Sequence, residues 1–269
     1  MNKIVFIVIL LFVSCPAQNF SFEYEVLVRP NLQKSDFYQT KYMTLDIADR
    51  KSIFRENMER NADSLKYSNL NPSQSMGFEN QFYIKKDLQK NIISKIITNG
   101  ENTFSLAITD NLDWEITSEK KKINQYSVQK AKVNYGGREW TAWFSADFNI
   151  NDGPYIFNGL PGLIIAINDN NEDYKFNLIQ VKKRSNLFDV RTKVLQIDWN
   201  KFKDLATAYY DNPILEMIQR SAGKTSYFID KNGNKQDIKV VQKQMAESQQ
   251  EFIKTNNNPI ELNHKIDYK

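Results

Sequence analysis

The chain has 269 residues, with 36 Lys and Arg against 32 Asp and Glu, one His, one Cys and a formal net charge of +4. A single cysteine excludes an internal disulfide framework and a multi-thiolate zinc site. The basic runs "EKKKI" and "KKRS" are short and have acidic neighbours, so they read as solvated strand ends or turns rather than a nucleic-acid face.

The N-terminus, "MNKIVFIVILLFVSCPAQNF", has the layout of an export signal. Lys3 is the basic n-region, Ile4 to Val13 an apolar h-region, and Cys15 and Ala17 the small residues ahead of a cut before Gln18. The h-region is too short to cross a bilayer, which takes about 20 residues. Residues 1–17 are therefore expected to be a signal peptide, and residues 18–269 a single exported domain, periplasmic or associated with the outer membrane. A second reading treats "FVSC" as a lipobox, with Cys15 as a lipid-anchored N-terminus. Removal before Gln18 would leave no cysteine at all and exclude thiol chemistry. No later run approaches spanning length; "LIIAI" is the longest purely aliphatic one.

From Phe20 to about Ile197 the apolar period is two, which predicts strands. "SFEYEVLV" puts Phe22, Tyr24, Val26 and Val28 on one face. "KYMTLDIADRKSIFRE" reads as two strands joined at Ala48–Asp49–Arg50. Residues 56–80, without sustained period and rich in Asn and Ser, read as a long loop. Strands resume at "QFYIKKDL", "NIISKIIT", "NTFSLAIT", "LDWEIT", "QYSVQKAKVNY" and "REWTAWFSADF", the last two divided by the hairpin signal Gly136–Gly137. "GLIIAI", "DYKFNLIQVKK" and "LFDVRTKVLQI" continue the pattern. The short connections favour antiparallel neighbours, because a parallel crossover needs a dozen or more residues.

Helical period follows. "DWNKFKDLATAYYDNPILEMIQRSAG" has Asp198 as N-cap, a break at Pro213 and a stop at Gly223. "SYFIDKNGNKQDI" suggests a small hairpin. Ile238, Val241, Met245, Ser248 and Phe252 recur at helical steps, and "IELNHKIDYK" is a candidate last strand. The expected fold is α+β: a large curved antiparallel sheet, open or half-barrel, with C-terminal helices packed on it.

Two strands bear on function. In "REWTAWFSADF", Trp140, Ala142, Phe144 and Ala146 share one face, leaving Trp143 as the lone large apolar side chain on the other. In "GLIIAI", Leu163, Ile165 and Ile167 alternate with Ile164 and Ala166, so both faces are apolar and both need a cover. Before this strand, "DGPYIFNGLPGLI" supplies Gly153, Pro154, Gly159, Leu160, Pro161, Gly162, Leu163 and Ile164. The stretch lacks nucleophile, acid, base and metal ligand, and no Lys makes it a phosphate loop, so it reads as a structural corner.

"GREWTAWFSADFNINDGPYIFNGLPGLIIAINDN", with the closing "NNNPIEL", resembles the signature of the GLPGLI family. The resemblance spans nearly the whole chain and implies an exported envelope protein of the Bacteroidota, of unassigned function. It therefore brings no catalytic residues. Members often carry a cysteine before the "QKA" step, where this chain has Val128. The strand order is also similar, by analogy alone, to lipoprotein-carrier folds, and fold does not imply function.

The candidate chemistries are thin. His264 lies in a polar tail and reads as a surface residue. Ser118–Lys121, Ser127–Lys130 and Ser221–Lys224 match Ser-x-x-Lys at the frequency chance gives, and at positions unsuited to a dyad. Residues 169–173 and 230–234 lack the Gly and Glu of a calcium loop, so no metal or cofactor is expected. Asp147, Asp152 and Glu139 are the carboxylates near the motif. Arg138 reads as a strand-end ion pair, with an anchor for an anionic head group as the sharper alternative.

The expected role is binding rather than catalysis. The ligand is apolar or amphipathic, such as a lipid or acyl chain, held by Arg138, Trp140, Trp143, Phe144 and Tyr155. The 13% aromatic content and the two-faced apolar strand motivate it. An accessory protein docking on an outer-membrane partner is the alternative, and a carboxylate-dependent hydrolase the third reading. A carrier requires an internal apolar cavity, a docking protein a filled interior with an exposed apolar patch around Trp143 and residues 57–80, and a hydrolase a cleft with converging carboxylates.

Overall fold

A computed structural model describes residues 19–67, 77–183, 191, 193–221, 227–229 and 231–269. The expected signal segment, the start of the "LFDVRTKVLQI" strand and the Gly223 stop lie outside the described residues. Twelve described strands form one sheet: β1 (Phe20–Val28), β2 (Gln39–Ala48), β3 (Lys51–Glu56), β4 (Tyr83–Asp87), β5 (Ile92–Asn99), β6 (Asn102–Ile108), β7 (Glu115–Ile123), β8 (Tyr126–Tyr135), β9 (Arg138–Ser145), β10 (Leu163–Asp169), β11 (Tyr174–Lys183) and β12 (Leu195–Ile197). Their order is β12-β6-β5-β4-β3-β2-β1-β11-β10-β9-β8-β7. The sheet is curved and does not close. It is two meanders, β1 to β6 and β7 to β11, joined where β1 pairs antiparallel with β11 from Phe20–Lys183 to Val28–Tyr174. Among the described strands only β12 lies parallel to its neighbour, β6.

The alternation of "SFEYEVLV" sets the inner face. Phe22, Tyr24, Val26 and Val28 are fully buried, and register carries that face sideways. Tyr24 lies opposite Met43 and Leu178, Leu45 opposite Phe54, and Phe54 opposite Ile84. On the other side Phe176 lies opposite Ile167, which lies opposite Ala142.

What covers this face is the chain's own connection between β9 and β10. Tyr155, Ile156, Phe157 and Leu160 are each at most 1% exposed and belong to one cluster with Phe22, Tyr24, Phe54 and Trp140. The Trp140 and Phe157 rings lie 4.7 Å apart. The "DGPYIFNGLPG" stretch is thus a plug under the sheet as well as a corner into β10. Its exit is tight: a Cβ on Gly162 would lie 2.2 Å from the Ser145 carbonyl oxygen, and its φ is +154°.

The helices are α1 (Asn57–Tyr67), α2 (Trp199–Asp211), α3 (Leu215–Ser221) and α4 (Ile238–Thr255). As expected, Asp198 caps α2 by accepting from the Lys201 amide at 2.7 Å, and Pro213 separates α2 from α3. The α2 helix packs on the inner face at its β5–β6 end, where Ala206 joins Phe78, Ile97, Phe104 and Ile266. Two short strands, β13 (Phe228–Ile229) and β14 (Lys235–Gln236), form the expected hairpin.

Four expectations are corrected. Residues 57–67 are helical, not loop: Arg55 on the outer face of β3 ion-pairs with Asp63 at 2.7 Å and draws α1 onto the sheet. A β-bulge at Ile165 breaks the alternation of "GLIIAI", so Ile164 faces Phe144 and Ile167 faces Ala142 on the same side. The α4 stripe does not dock: Met245 and Phe252 are 37% and 50% exposed, and Ile253 is the buried residue of the helix. The tail forms a one-turn 3₁₀ helix at Leu262–His264 instead of a strand. Its carbonyls and side chains are taken by buried partners, described next.

Gly162→Ala should lower stability by about 2 kcal/mol or more, since both backbone angle and Ser145 oppose the methyl group. A urea midpoint unchanged from wild type would contradict this account of the plug's exit.

Candidate functional site

Among the described residues the inner face carries three buried cations at positions where the strand alternation calls for apolar side chains: Lys86 on β4, Lys95 on β5 and Arg138 on β9. Each is buried and each meets a segment that fills the face. Arg138 is the most heavily bonded. Its Nη1 donates to Asp169 Oδ2 and Asp173 Oδ2, both at 2.8 Å. Its Nη2 donates to Asn258 Oδ1 at 2.6 Å and to the Pro259 carbonyl at 2.8 Å, and its Nε to the Ile260 carbonyl at 3.1 Å. One guanidinium therefore ties the β10–β11 turn to the "NNPIE" tail. Tyr174 adds its hydroxyl to the Asn258 carbonyl. The tail also needs the glycine turn, because a Cβ on Gly136 would lie 2.8 Å from the Ile260 carbonyl oxygen.

Lys95 ion-pairs with Glu261 at 2.8 Å, and Glu261 also accepts from the hydroxyls of Tyr135, at 2.9 Å, and Tyr155. Burial alone would raise the Glu261 pKa, but the Lys95 charge and these hydrogen bonds outweigh it and hold it below its ordinary value. Burial, reinforced by the Glu261 charge, pushes both tyrosines well up, so they donate as neutral phenols. Tyr155 adopts φ +52°, an uncommon backbone for its type, and its hydroxyl contact holds it there.

Lys86 ion-pairs with Asp152 of the plug and donates to the Gly153 carbonyl at 2.7 Å. Burial lowers the Lys86 pKa against the opposing pull of Asp152. Asp152 Oδ2 and Ser52 Oγ are buried without a hydrogen-bond partner.

Against this frame the expected site residues divide. Arg138, Trp140, Phe144 and Tyr155 come together on or under the inner face, each at most 5% exposed. Their polar atoms are engaged within the protein; Trp140 Nε1, for example, donates to the Tyr135 carbonyl at 3.1 Å. Trp143 points to the outer face, as the alternation requires, yet is only 8% exposed. Lys121 Nζ lies 3.7 Å and Lys130 Nζ 5.7 Å from its ring centroid, so two cations cover it. In the motif, Gly153, Pro154, Leu160, Gly162, Leu163 and Ile164 are buried, whereas Gly159 and Pro161 are exposed.

The carboxylates near the motif do not converge: Asp152 is paired with Lys86 inside, while Glu139 pairs with Lys132 outside at 3.6 Å. His264 is half-buried rather than a free surface residue. It stacks on Trp199 with centroids 3.8 Å apart, and burial lowers its pKa. Among the described residues no group of three or more His, Cys, Asp or Glu is placed to hold a metal ion.

A depression of about 580 Å³ lies between the ends of β5 and β6 and the plug, lined by Ile93, Ile108, Leu112, Asn158 and Gly159, and further concave surface lies on the outer face. One groove of about 460 Å³ crosses β2 to β5, where register sets Asp46, Ile53, Lys85 and Ser94 side by side. Its floor includes Ile53, Ile92 and Ile96, and Val194 ahead of β12 forms a wall. Lys51, Lys90 and Asp87 stand around one end, and Lys85 lies across the middle. Asp46 is already held by Arg55 and Arg60. A second depression of about 540 Å³ holds Tyr42, Met58 and Ile179, each half or more exposed.

The inward lysines were legible but overlooked. "QFYIKKDL" places Lys86 in phase with Phe82 and Ile84, and "IISKIIT" places Lys95 in phase with Ile93 and Ile97. A lysine in an apolar phase announces a buried acid. Glu261 and the outer groove had no such signal, because their partners are remote in sequence.

The fold and site define a large open-sheet α+β protein whose inner face is filled largely by its own chain. No family model matches the chain, and no curated protein matches it. Two solved structures of PNGF-II, in the P21 and C2 space groups, are similar in fold, with TM-scores of 0.52 and 0.51 at 17% and 18% identity. The likeness covers 71% of this chain but 33% of those chains, so this chain matches about a third of their length.

Arg138→Ala should cost about 3–5 kcal/mol, because it strands Asp169 as a buried charge, leaves Asp173 to Arg29 alone and frees the tail carbonyls. Chemical denaturation that finds a loss under about 1 kcal/mol would remove the clamp from this account. The Glu261 carboxylate contributes its stability fully above its unfolded value of about 4.3. That contribution is lost as pH falls through the lower native value. Glu261→Gln should therefore be less stable than wild type at pH 7, yet lose less of its remaining stability between pH 5 and pH 3. Urea midpoints measured across that range check both parts.

Proposed function

We propose that this chain is an exported envelope protein of the GLPGLI type that acts as a non-catalytic binding module and meets its ligand on the outer face of the sheet. The observation that carries the reading is the apolar groove on the outer face, since the filled interior removes the internal cavity that a carrier requires. Tyr155, Phe157 and Leu160 occupy the space under β1 to β4 and β9 to β11, in one cluster with the strand side chains. The ligand position expected from sequence, under Trp140, is thus taken by the chain itself. Apolar concavity is left where Ile53, Ile92 and Ile96 line the outer groove, within the roughly 300–1,000 Å³ range of small-molecule sites. The signature that surrounds the plug supports the GLPGLI assignment, and the N-terminal "MNKIVFIVILLFVSCPAQ" supports export.

Docking on an outer-membrane partner is the second reading. The exposed Tyr42, Met58 and Ile179 around the other depression favour it, since apolar side chains grouped on a surface mark interaction sites. Likeness of fold to PNGF-II brings no activity with it at this identity.

Native mass spectrometry of the mature protein, purified from its own envelope without detergent, separates the readings. A reproducible small-molecule adduct that leaves on organic extraction is the expected result. A clean unliganded mass with a protein recovered by crosslinking would replace the ligand-binding reading with the docking one.

A further inference from the structure

We infer that the depression at the ends of β5 and β6 is a second binding site, and that it takes a small amphipathic cation, an ammonium group on a short aliphatic body. The inference goes beyond the outer-groove reading; the depression shares only Ile92 with that groove. Its floor is apolar across two strands. Ile93 of β5 lies directly opposite Ile108 of β6. Ile108 belongs to the main core, and Ile93 and Leu112 pack against it. The space, about 580 Å³, is within the roughly 300–1,000 Å³ range of small-molecule sites.

The walls are held in place by the fold. Residues 109–114 carry the chain from β6 to β7, at the other edge of the open sheet. The Trp114 indole fastens this loop to the plug: it donates to the Asn158 carbonyl at 2.8 Å, and its ring lies 6.3 Å from that of Phe157. On the plug side Gly159 leaves the space open, since a Cβ there would meet only Trp114 Nε1, at 4.0 Å.

Charge comes from one wall. Asp110 and Asp113 of the loop line the depression, and among the described residues neither forms an ion pair or a side-chain hydrogen bond. No lysine or arginine lines it; Lys90, next to the lining Asn91, stands at the outer groove instead. Two unmatched carboxylates beside an isoleucine and leucine floor complement a cation with an apolar body. A neutral amphiphile would leave both carboxylates unmatched, an anion would be repelled, and a bare cation would leave the floor unused.

Calorimetric titration of the purified protein with hexylamine, butylamine, hexanol and hexanoate tests the inference. Hexylamine is expected to bind one to one. Butylamine should bind more weakly, by up to about fourfold for each methylene lost. Hexanol should bind about fivefold more weakly than hexylamine, the worth of two exposed charge contacts, and hexanoate not at all. The Asp110→Asn/Asp113→Asn double variant, at exposed positions, should weaken hexylamine by the same factor, leave hexanol unchanged and keep the fold by circular dichroism. Equal binding of hexanol and hexylamine would overturn the charge argument. Equal binding of butylamine and hexylamine would make the site a plain cation site. Hexylamine binding indifferent to the double variant would place the site elsewhere. No hexylamine binding would sink this site while leaving the outer-groove reading to its own test.

Discussion

Charge under a sheet must be matched, and here the matching organises the molecule. Lys86, Lys95 and Arg138 project from three strands into the apolar side. Burying an unpaired cation costs several kcal/mol, more than a typical core contact returns. The chain meets this requirement by bringing an acid or carbonyl group to each one: Asp152 from the plug, Glu261 from the tail, and Asp169 and Asp173 with the tail carbonyls for Arg138. Hydrophobic packing holds the plug, but it is non-directional. The ion pairs fix which residues of the plug and tail lie where.

That solution has a consequence for function. A curved sheet with one apolar face has an obvious place for a ligand, and here the chain fills it. Phe157 rests on Trp140, and Tyr155 reaches Glu261, so the aromatic residues that resembled a binding pocket in sequence are the core. Trp143, the exception on the outer face, is covered by Lys121 and Lys130. On the outer side polar strand positions alternate with a few isoleucines, which line a groove. The same residue types are thus core on one face and partly exposed on the other, as Ile97 and Ile92 of β5 show.

The GLPGLI hexapeptide itself illustrates the point. Gly162 lets the backbone pass against the Ser145 carbonyl, and the following bulge turns Ile164 and Ile167 to the same side. The turn chemistry is legible in sequence because glycine and proline restrict the backbone locally. The bulge is not, because it depends on what Phe144 and Ala142 present across the strand pair.

By itself the sequence determined most strands of the sheet, the Gly136–Gly137 hairpin, the N-cap of α2 and the break before α3, and the α+β class, since period and turn chemistry act over a few residues. It also marked the inward phase of Arg138, and equally of Lys86 and Lys95. Tertiary structure alone decided that residues 57–67 form a helix, held by Arg55 and Asp63, and that the tail closes as a 3₁₀ turn under Arg138. It alone decided that the α4 stripe stays exposed, and that the interior is occupied by the chain. Each of these outcomes depends on a partner more than a strand length away, or on competition for the same buried surface, and neither leaves a local pattern. A period of two says which side chains face inward; only the folded chain says what they meet there.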